Sequence, residues 1–328
     1  DMKRKNLCKT LLKTMCIVLG ILILALLAYI VYLYASYYRI EDNQELVVEA
    51  PVDDTTTGAA AVLATDTEYS AVTYNIGFGA YLPDYSFFMD GGTSSWAESP
   101  ETVQYAINGA GELVKSLDPD FALIQEIDLD ATRSYHTDEY EMLRNILPEY
   151  TTVFAQNYDS AFLFYPFTQP HGSSRAGLGL FSKYPVSSAL RRSFPISTSF
   201  SKFFDLDRCY SVSRIPVDNG KELVIFNLHM SAYGNSDEIR KGQIEMLCND
   251  MQKEYEAGNY VLCGGDFNHD LKASEEDTES CESWAFPFPR TELPEHFAFC
   301  LDLLSSEEQA ALWNSARNAD MEYVPGVT

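Results

Sequence analysis

Short apolar runs alternate with helical patterns from about residue 69 onward. Five of the runs are brief, rich in β-branched or aromatic residues and bounded by turn residues, which is typical of buried strands. They cover residues 69–76, 121–125, 177–181, 223–227 and 260–263. A further short strand is predicted near residues 45–49.

Two segments between these runs carry apolar residues at helical spacing. The first begins at Ser99-Pro100, where serine can cap a helix and proline suits its first turn. The second covers about residues 236–257 and stops at Gly258. The two stripes are Val103, Ile107, Ala110, Val114 and Leu117, and Ile239, Ile244, Leu247, Met251 and Tyr255. Strands mixed with surface helices predict an α/β or layered α+β domain.

The N-terminus has a different pattern. Residues 15–35 carry no formal charge, and a helix of that length rises about 30 Å, enough to cross a membrane. A cleaved signal peptide is the competing interpretation, but the apolar run is long and no A-x-A-like site follows it. We therefore predict a cytoplasmic tail (1–14), a transmembrane helix (15–35), a linker (36–66) and a globular domain (67–328).

Basic residues precede the apolar span and none follows it directly, which favours a cytoplasmic N-terminus. The predicted location is the cell membrane, with a single pass and the globular domain outside. Five tyrosines would form an aromatic belt at the outer interface: Tyr29, Tyr32, Tyr34, Tyr37 and Tyr38.

The charge balance excludes some partners. The chain of 328 residues has a formal charge of −25, and the 18 basic and 47 acidic residues after position 14 sum to −29. This disfavours a broad basic face that grips nucleic acid nonspecifically. Five cysteines follow the apolar span without metal-finger spacing, so we interpret them mainly as small buried residues.

Polar residues close four of the predicted strands. Two glycines precede Asp266 and Asn268, and glycine permits close approach of the backbone or a positive φ. Another strand runs into Asn227-Leu228-His229, where a period of two places Asn227 and His229 on one face. The alternatives are an ordinary Asx turn at Asp266 and a structural histidine at His229.

The other two strand ends carry Gln125-Glu126 and Asn75. Glu126 could simply be solvated where the chain leaves the sheet, and Asn75 is the weakest of the four signals. The set as a whole is more informative than any one member, since carboxylate and amide oxygens suit a hard divalent ion.

The order of these motifs resembles the endonuclease/exonuclease/phosphatase superfamily, which has the pancreatic-deoxyribonuclease-like fold. The matching stretches are Tyr74-Asn75-Ile76, Gln125-Glu126-Ile127, the Gly177–Val186 run, Asn227-Leu228-His229 and Gly265-Asp266-Phe267-Asn268. The resemblance implies a four-layer α/β/β/α sandwich of two packed mixed sheets, with the site at one edge.

The resemblance also implies roles for single residues. Glu126 would bind Mg²⁺ or Mn²⁺, and Asn75 would lie close to both the metal and the phosphate. Asp266 would orient and deprotonate the attacking water, Asn268 would position the water or the phosphate, and His229 would donate to a phosphate oxygen.

Three further residues are candidates for lining the phosphate cleft: Arg208, His171 and Arg175. Arg208 could equally pair with Asp205 or Asp207. Arg191 and Arg192, which are adjacent to each other in the chain, are interpreted as a solvated pair.

One motif implied by the resemblance is missing. No Ser-Asp-His type tripeptide follows Asn268. We expect the sequence to be a fragment that stops before the last strand and its catalytic residues; a site that has lost this motif is the alternative.

The expected function is metal-dependent hydrolysis of a phosphate ester by an activated water. Nucleic acid, phospholipid head groups and soluble phosphate esters all remain open as substrates. The membrane is an expected partner through the N-terminal helix, and no protein partner is predicted. The alternative is a non-catalytic, membrane-anchored binding or adhesion protein on the same scaffold.

Overall fold

The computed structural model describes residues 2–53, 62–232, 237–272, 285–312 and 319–324. The chain divides into two units, residues 1–39 and residues 40–328. The first contains the helix α1 (Met2–Ser36), in which Asn6–Ser36 has a mean hydropathy of 2.9 in its most apolar window. This helix is long and apolar enough to cross a membrane, a property that signal sequences share.

The second unit contains two five-stranded sheets and a separate strand pair. Its helices are α2 (Pro100–Leu117), α3 (Glu139–Ile146), α4 (Asp237–Glu256) and α5 (Ser306–Ala311). Its strands are β1 (Gln44–Glu45), β2 (Val48–Glu49), β3 (Ala71–Asn75), β4 (Phe121–Ala131), β5 (Thr151–Leu163), β6 (Gly172–Ser182), β7 (Ser188–Ser193), β8 (Cys209–Pro216), β9 (Glu222–His229), β10 (Tyr260–Asp266), β11 (His269–Asp270) and β12 (Phe286–Pro287).

Both large sheets are mixed. The first has the order β2-β5-β6-β4-β3 and the second the order β1-β7-β8-β9-β10. Only the β3/β4 and β9/β10 pairs are parallel within them. The predicted site residues lie at the carboxyl ends of β3, β9 and β10 and, for Glu126, at an irregularity within β4.

Alternation along the strands builds four layers. On β4, Ala122 and Ile124 pack against Val103 and Ile107 of α2, whereas Phe121 and Leu123 face the second sheet. On the far side of the second sheet, apolar residues of β9 pack against Ile244, Leu247 and Met251 of α4. The predicted α/β/β/α sandwich of two packed mixed sheets is confirmed.

Both helix predictions hold with small changes at the ends. The Ser99 side chain accepts a hydrogen bond from Thr102 N and proline opens α2, but Leu117 is exposed, so the buried stripe ends at Val114. Gly258 follows α4 with φ +82, a left-handed conformation that favours glycine. Ser236 lies outside the described residues.

The segment predicted as a linker contributes to the folded unit. Gln44 and Glu45 pair with β7, and Val48 and Glu49 pair with β5, so the segment adds an edge strand to each sheet. Residues 54–61 lie outside the described part of the chain. At least residues 44–49 therefore belong to the fold and are not a free spacer.

Candidate active site

Two parallel strand pairs bring the predicted polar residues together. Asp266 lies directly opposite His229 in the β9/β10 pair, and Asn75 lies opposite Gln125 in the β3/β4 pair. The sheets approach closely at this end, since a Cβ added to Gly264 would lie 3.1 Å from the Leu123 side chain. Asn75, Glu126, His229 and Asp266 consequently converge on one edge of the sandwich.

A break in β4 orients Glu126. The register between β4 and β6 shifts between Ile124 and Ile127, and Glu126 has φ +55. A left-handed conformation is uncommon for glutamate and is a source of local strain. The bulge turns the Glu126 side chain toward Asn75, while β4 resumes and continues to Ala131.

Glycine is required just before Asp266. Gly265 has φ +135, and a Cβ at this position would lie 2.1 Å from the Leu228 carbonyl oxygen of the adjacent strand. Glycine therefore permits the close strand pairing that places Asp266 beside His229.

One amide group bridges the two carboxylates. Asn75 Nδ2 donates to Glu126 Oε1 at 2.9 Å and to Asp266 Oδ2 at 2.8 Å. Asn75 Oδ1 accepts from Gly77 N at 3.0 Å, which fixes the orientation of the amide. In this geometry Asn75 holds the two carboxylates together through its N–H groups, and its place close to the metal and the phosphate stays a prediction.

His229 completes a cluster of three groups that can ligate a metal. Its Nε2 lies 3.9 Å from both Glu126 Oε1 and Asp266 Oδ2. One ligand atom from each residue lies within 4.8 Å of the others. Burial, and after it the charge of Arg208, lowers the pKa of His229 well below its ordinary value, so the imidazole is neutral at pH 7.

Glu126 is in an environment that disfavours its charge. Burial raises the pKa of Glu126, and the negative charge of Asp266 adds to this effect. The charge of Arg133 and the hydrogen bond from Asn75 act in the opposite direction. A nearby cation would favour ionisation of both carboxylates.

Asn268 and Arg208 join the group through one carbonyl oxygen. Asn268 Nδ2 and Arg208 Nη1 each donate to Met230 O at 2.9 Å. Met230 directly follows His229 in the chain. Asn268 N also donates to Asp266 Oδ1 at 2.8 Å. Arg208 Nε is buried and has no hydrogen-bond partner among the described residues, although Nη2 lies 3.6 Å from Asp205.

The other two cleft candidates lie elsewhere. His171 is buried against the rings of Phe87 and Phe88, and Arg175 is half-exposed and pairs with Asp130. Among the described hydrogen bonds and ion pairs, none joins either residue to the cluster. Burial lowers the pKa of His171 to about 3, which fits a packed, neutral imidazole. Neither residue joins the cluster, and their place in the phosphate cleft stays a prediction.

A buried charge network beneath Glu126 was missed from the sequence. Arg133 makes two hydrogen bonds to Asp128, at 3.0 and 2.8 Å, and its guanidinium lies 3.8 Å from the centre of the Phe78 ring. Glu139 accepts from Asp128 N at 2.9 Å. The alternation in Glu126-Ile127-Asp128 was the available signal, although a second acid near a strand end is more often solvated.

The match to a family model agrees with this geometry. The model described as "Endonuclease/Exonuclease/phosphatase family" matches residues 72–302, more than half of the chain. The chain belongs to this family.

Solved structures with a similar chain course have low sequence identity. ANGEL2, a 2′,3′-cyclic phosphatase, is 16% identical with a TM-score of 0.45, over 63% of this chain and 54% of ANGEL2. The mannosyl-6-phosphatase of Bacteroides thetaiotaomicron is 16% identical with a TM-score of 0.40, over 65% of this chain and 70% of that enzyme. The human Nocturnin catalytic domain is 15% identical with a TM-score of 0.39, over 55% and 62% of the two chains.

These likenesses do not identify a substrate. The chain spans about half the length of ANGEL2, and 43% of an endonuclease/exonuclease/phosphatase from Beutenbergia cavernae with 17% identity and a TM-score of 0.39. None of the curated proteins compared with the chain matches it.

Proposed function

We propose that this chain is a divalent-metal-dependent phosphoesterase that hydrolyses phosphodiester or phosphomonoester bonds by in-line attack of an activated water. The observation that carries the proposal is the cluster of Glu126, His229 and Asp266, with one ligand atom of each within 4.8 Å of the others. Two carboxylates that face each other across one amide repel each other, and a divalent ion would offset this repulsion.

The donor set fits Mg²⁺ or Mn²⁺. Carboxylate oxygens are preferred by hard divalent ions, and Glu126 is the ligand we assign to the ion. When bound, the ion would neutralise charge on the phosphoryl group. Asn75 contributes by holding Glu126 and Asp266 in place through its amide N–H groups.

The remaining residues act on the water and the phosphate. Asp266 orients the attacking water and accepts its proton, and donors from Asn75 and Asn268 hold its two oxygens in place. Neutral His229 donates from Nε2 to a phosphate oxygen, and Asn268 positions the water or the phosphate. Arg208 offers its free Nε–H to the phosphate.

The net charge of the chain bears on the class of substrate. A net charge of −25 weakens nonspecific binding of long nucleic acid, although a local cleft can differ in sign from the whole surface. Phospholipid head groups and soluble phosphate esters need no extended basic surface. Assays on sphingomyelin, inositol phosphates, RNA and DNA would rank the three classes.

Metal dependence is the first test. We expect the chain to hydrolyse bis(4-nitrophenyl) phosphate with Mg²⁺ or Mn²⁺. EDTA should lower the rate more than about tenfold, and adding the ion back should restore it. Calorimetric titration with Mn²⁺ checks binding without turnover. A rate that chelation leaves unchanged would contradict the proposal, and a chain that neither binds metal nor hydrolyses esters would favour the non-catalytic scaffold.

We also propose that α1 anchors the chain with residues 1–14 in the cytoplasm and the catalytic unit outside the cell. Cys8 and Cys300 are both exposed and would then lie on opposite sides of the membrane. A membrane-impermeant maleimide on intact cells should label Cys300 and spare Cys8, in a Cys281→Ser background. Cys300→Ser and Cys8→Ser identify the labelled thiol, and labelling of Cys8 alone would reverse the topology.

A further inference from the structure

Hydrogen bonds at Ile40 and at Asp42 hold residues 40–42 against the folded unit. We call this segment the strap. The buried Ile40 donates its N–H to Asp207 Oδ2 at 2.6 Å, and its carbonyl accepts from Ser193 Oγ at 3.1 Å. Asp42 Oδ1 accepts from Ser193 N at 2.8 Å and from Arg192 Nε at 3.0 Å. Burial raises the pKa of Asp42, but these hydrogen bonds outweigh it and hold the pKa below its usual value.

The fully buried Arg191 connects the strap to the loop between β7 and β8. Its Nη1 donates to Glu41 O at 3.2 Å and its Nη2 to Asp207 O at 2.8 Å. Its Nε donates to Gln156 O at 2.7 Å. A buried guanidinium needs partners for its N–H groups, so displacing the strap would disturb this whole arrangement.

The loop ends at Arg208, beside the candidate site. Asp207, which accepts from Ile40 of the strap and from Arg191, is the residue before Arg208. Arg208 Nη1 donates to the Met230 carbonyl that also accepts from Asn268. A continuous series of hydrogen bonds and covalent links thus joins the strap to residues of the site.

We propose that the strap is a positioning element for Arg208, which holds the guanidinium where its Nε can donate to the phosphate of the substrate. This proposal rests on the proposed function. The strap directly follows the unit formed by residues 1–39 in the chain. The residues next to the apolar helix would therefore be part of the working catalytic unit.

The sharpest test compares adjacent acids in the full chain. Asp42→Ala removes the hydrogen bonds that tie the strap to Ser193 N and Arg192 Nε, whereas Glu41→Ala leaves the hydrogen bond from Arg191 to the Glu41 carbonyl in place. We expect Asp42→Ala to raise KM for bis(4-nitrophenyl) phosphate about tenfold with kcat within about twofold, because a uniform binding contact is lost. Glu41→Ala should behave as wild type.

A double-mutant cycle separates positioning from general stability. If the strap acts through Arg208, Asp42→Ala should add no further increase in KM to Arg208→Ala. Hydrogen exchange gives a readout independent of turnover, because Phe194 N donates to Arg208 O at 2.9 Å. We expect faster exchange at residues 194–208 in Asp42→Ala and unchanged exchange in Glu41→Ala.

Binding of inorganic phosphate, measured by calorimetry with Mg²⁺ present, decides the proposal even without hydrolysis. We expect Asp42→Ala to weaken phosphate binding about tenfold. Three results would each overturn the proposed role of the strap. They are equal phosphate affinity in Asp42→Ala and wild type, additive effects on KM in the double-mutant cycle, and unchanged hydrogen exchange at residues 194–208. A wild-type chain that binds phosphate and hydrolyses no ester would overturn the proposed function alone.

Discussion

Replacing Asp266 with asparagine is expected to lower kcat about a thousandfold. The asparagine keeps the shape of the side chain but cannot accept a proton from the attacking water, and general base catalysis contributes about 10²–10⁴-fold. The amide would also place an N–H₂ group near Asn268 N or Asn75 Nδ2, which both donate to Asp266 now. KM should change by less than about threefold, since Asp266 is not assigned to the phosphate.

The control for this variant is Asp218→Asn. Asp218 accepts from Thr65 N at 3.2 Å near the turn between β8 and β9, at the opposite end of β9 from His229. Steady-state rates with bis(4-nitrophenyl) phosphate and urea unfolding of both variants provide the measurement. A rate for Asp266→Asn within about tenfold of wild type would show that another group takes the proton.

The strand ends of the site could be predicted because local sequence determines them. An apolar run that stops at a polar residue gives Asn75 and Glu126 in one sheet, and His229 and Asp266 in the other. The glycine before Asp266 also pointed to an unusual backbone conformation, and Gly265 has a φ of +135 in the structure. Alternation alone could not foresee that β4 bulges at Glu126 and then resumes.

Buried charges were the main failure of the sequence analysis. Arg191 was interpreted with Arg192 as a solvated pair, but Arg191 is fully buried. Its donors are satisfied by carbonyls of Glu41, Gln156 and Asp207, which lie far apart in the chain. Arg192 does pair with acids, Asp42 and Asp250. Such long-range partners leave no local pattern.

The surroundings of His171 could not be predicted either. A histidine between proline and glycine in a polar segment was interpreted as a cleft residue, yet its ring packs against Phe87 and Phe88. The segment that contains Phe87, Phe88 and Trp96 contacts the loop at residues 164–171, as the hydrogen bond of 2.7 Å from Trp96 Nε1 to Pro170 O indicates. Contacts between two loops depend on the assembled fold, so sequence spacing gave no warning.

Replacing Glu126 with glutamine is expected to weaken the metal site first and catalysis as a consequence. The variant keeps an oxygen in place but removes one negative charge from an enclosed site, where burial already raises the pKa of the carboxyl. We expect the Mg²⁺ concentration for half-maximal rate to rise at least about tenfold, and the rate at low Mg²⁺ to fall about a hundredfold or more. Titration of activity and calorimetry with Mg²⁺ and Mn²⁺ measure both quantities.

The response to excess metal separates the two carboxylates. If Glu126 is the ligand and Asp266 the base, high Mg²⁺ should restore part of the rate of Glu126→Gln and none of the rate of Asp266→Asn. Glu112→Gln, on the exposed face of α2, is the matched control and should follow wild type. An unchanged Mg²⁺ requirement in Glu126→Gln would remove Glu126 from the metal site, and rescue of Asp266→Asn by metal would reverse the two assignments.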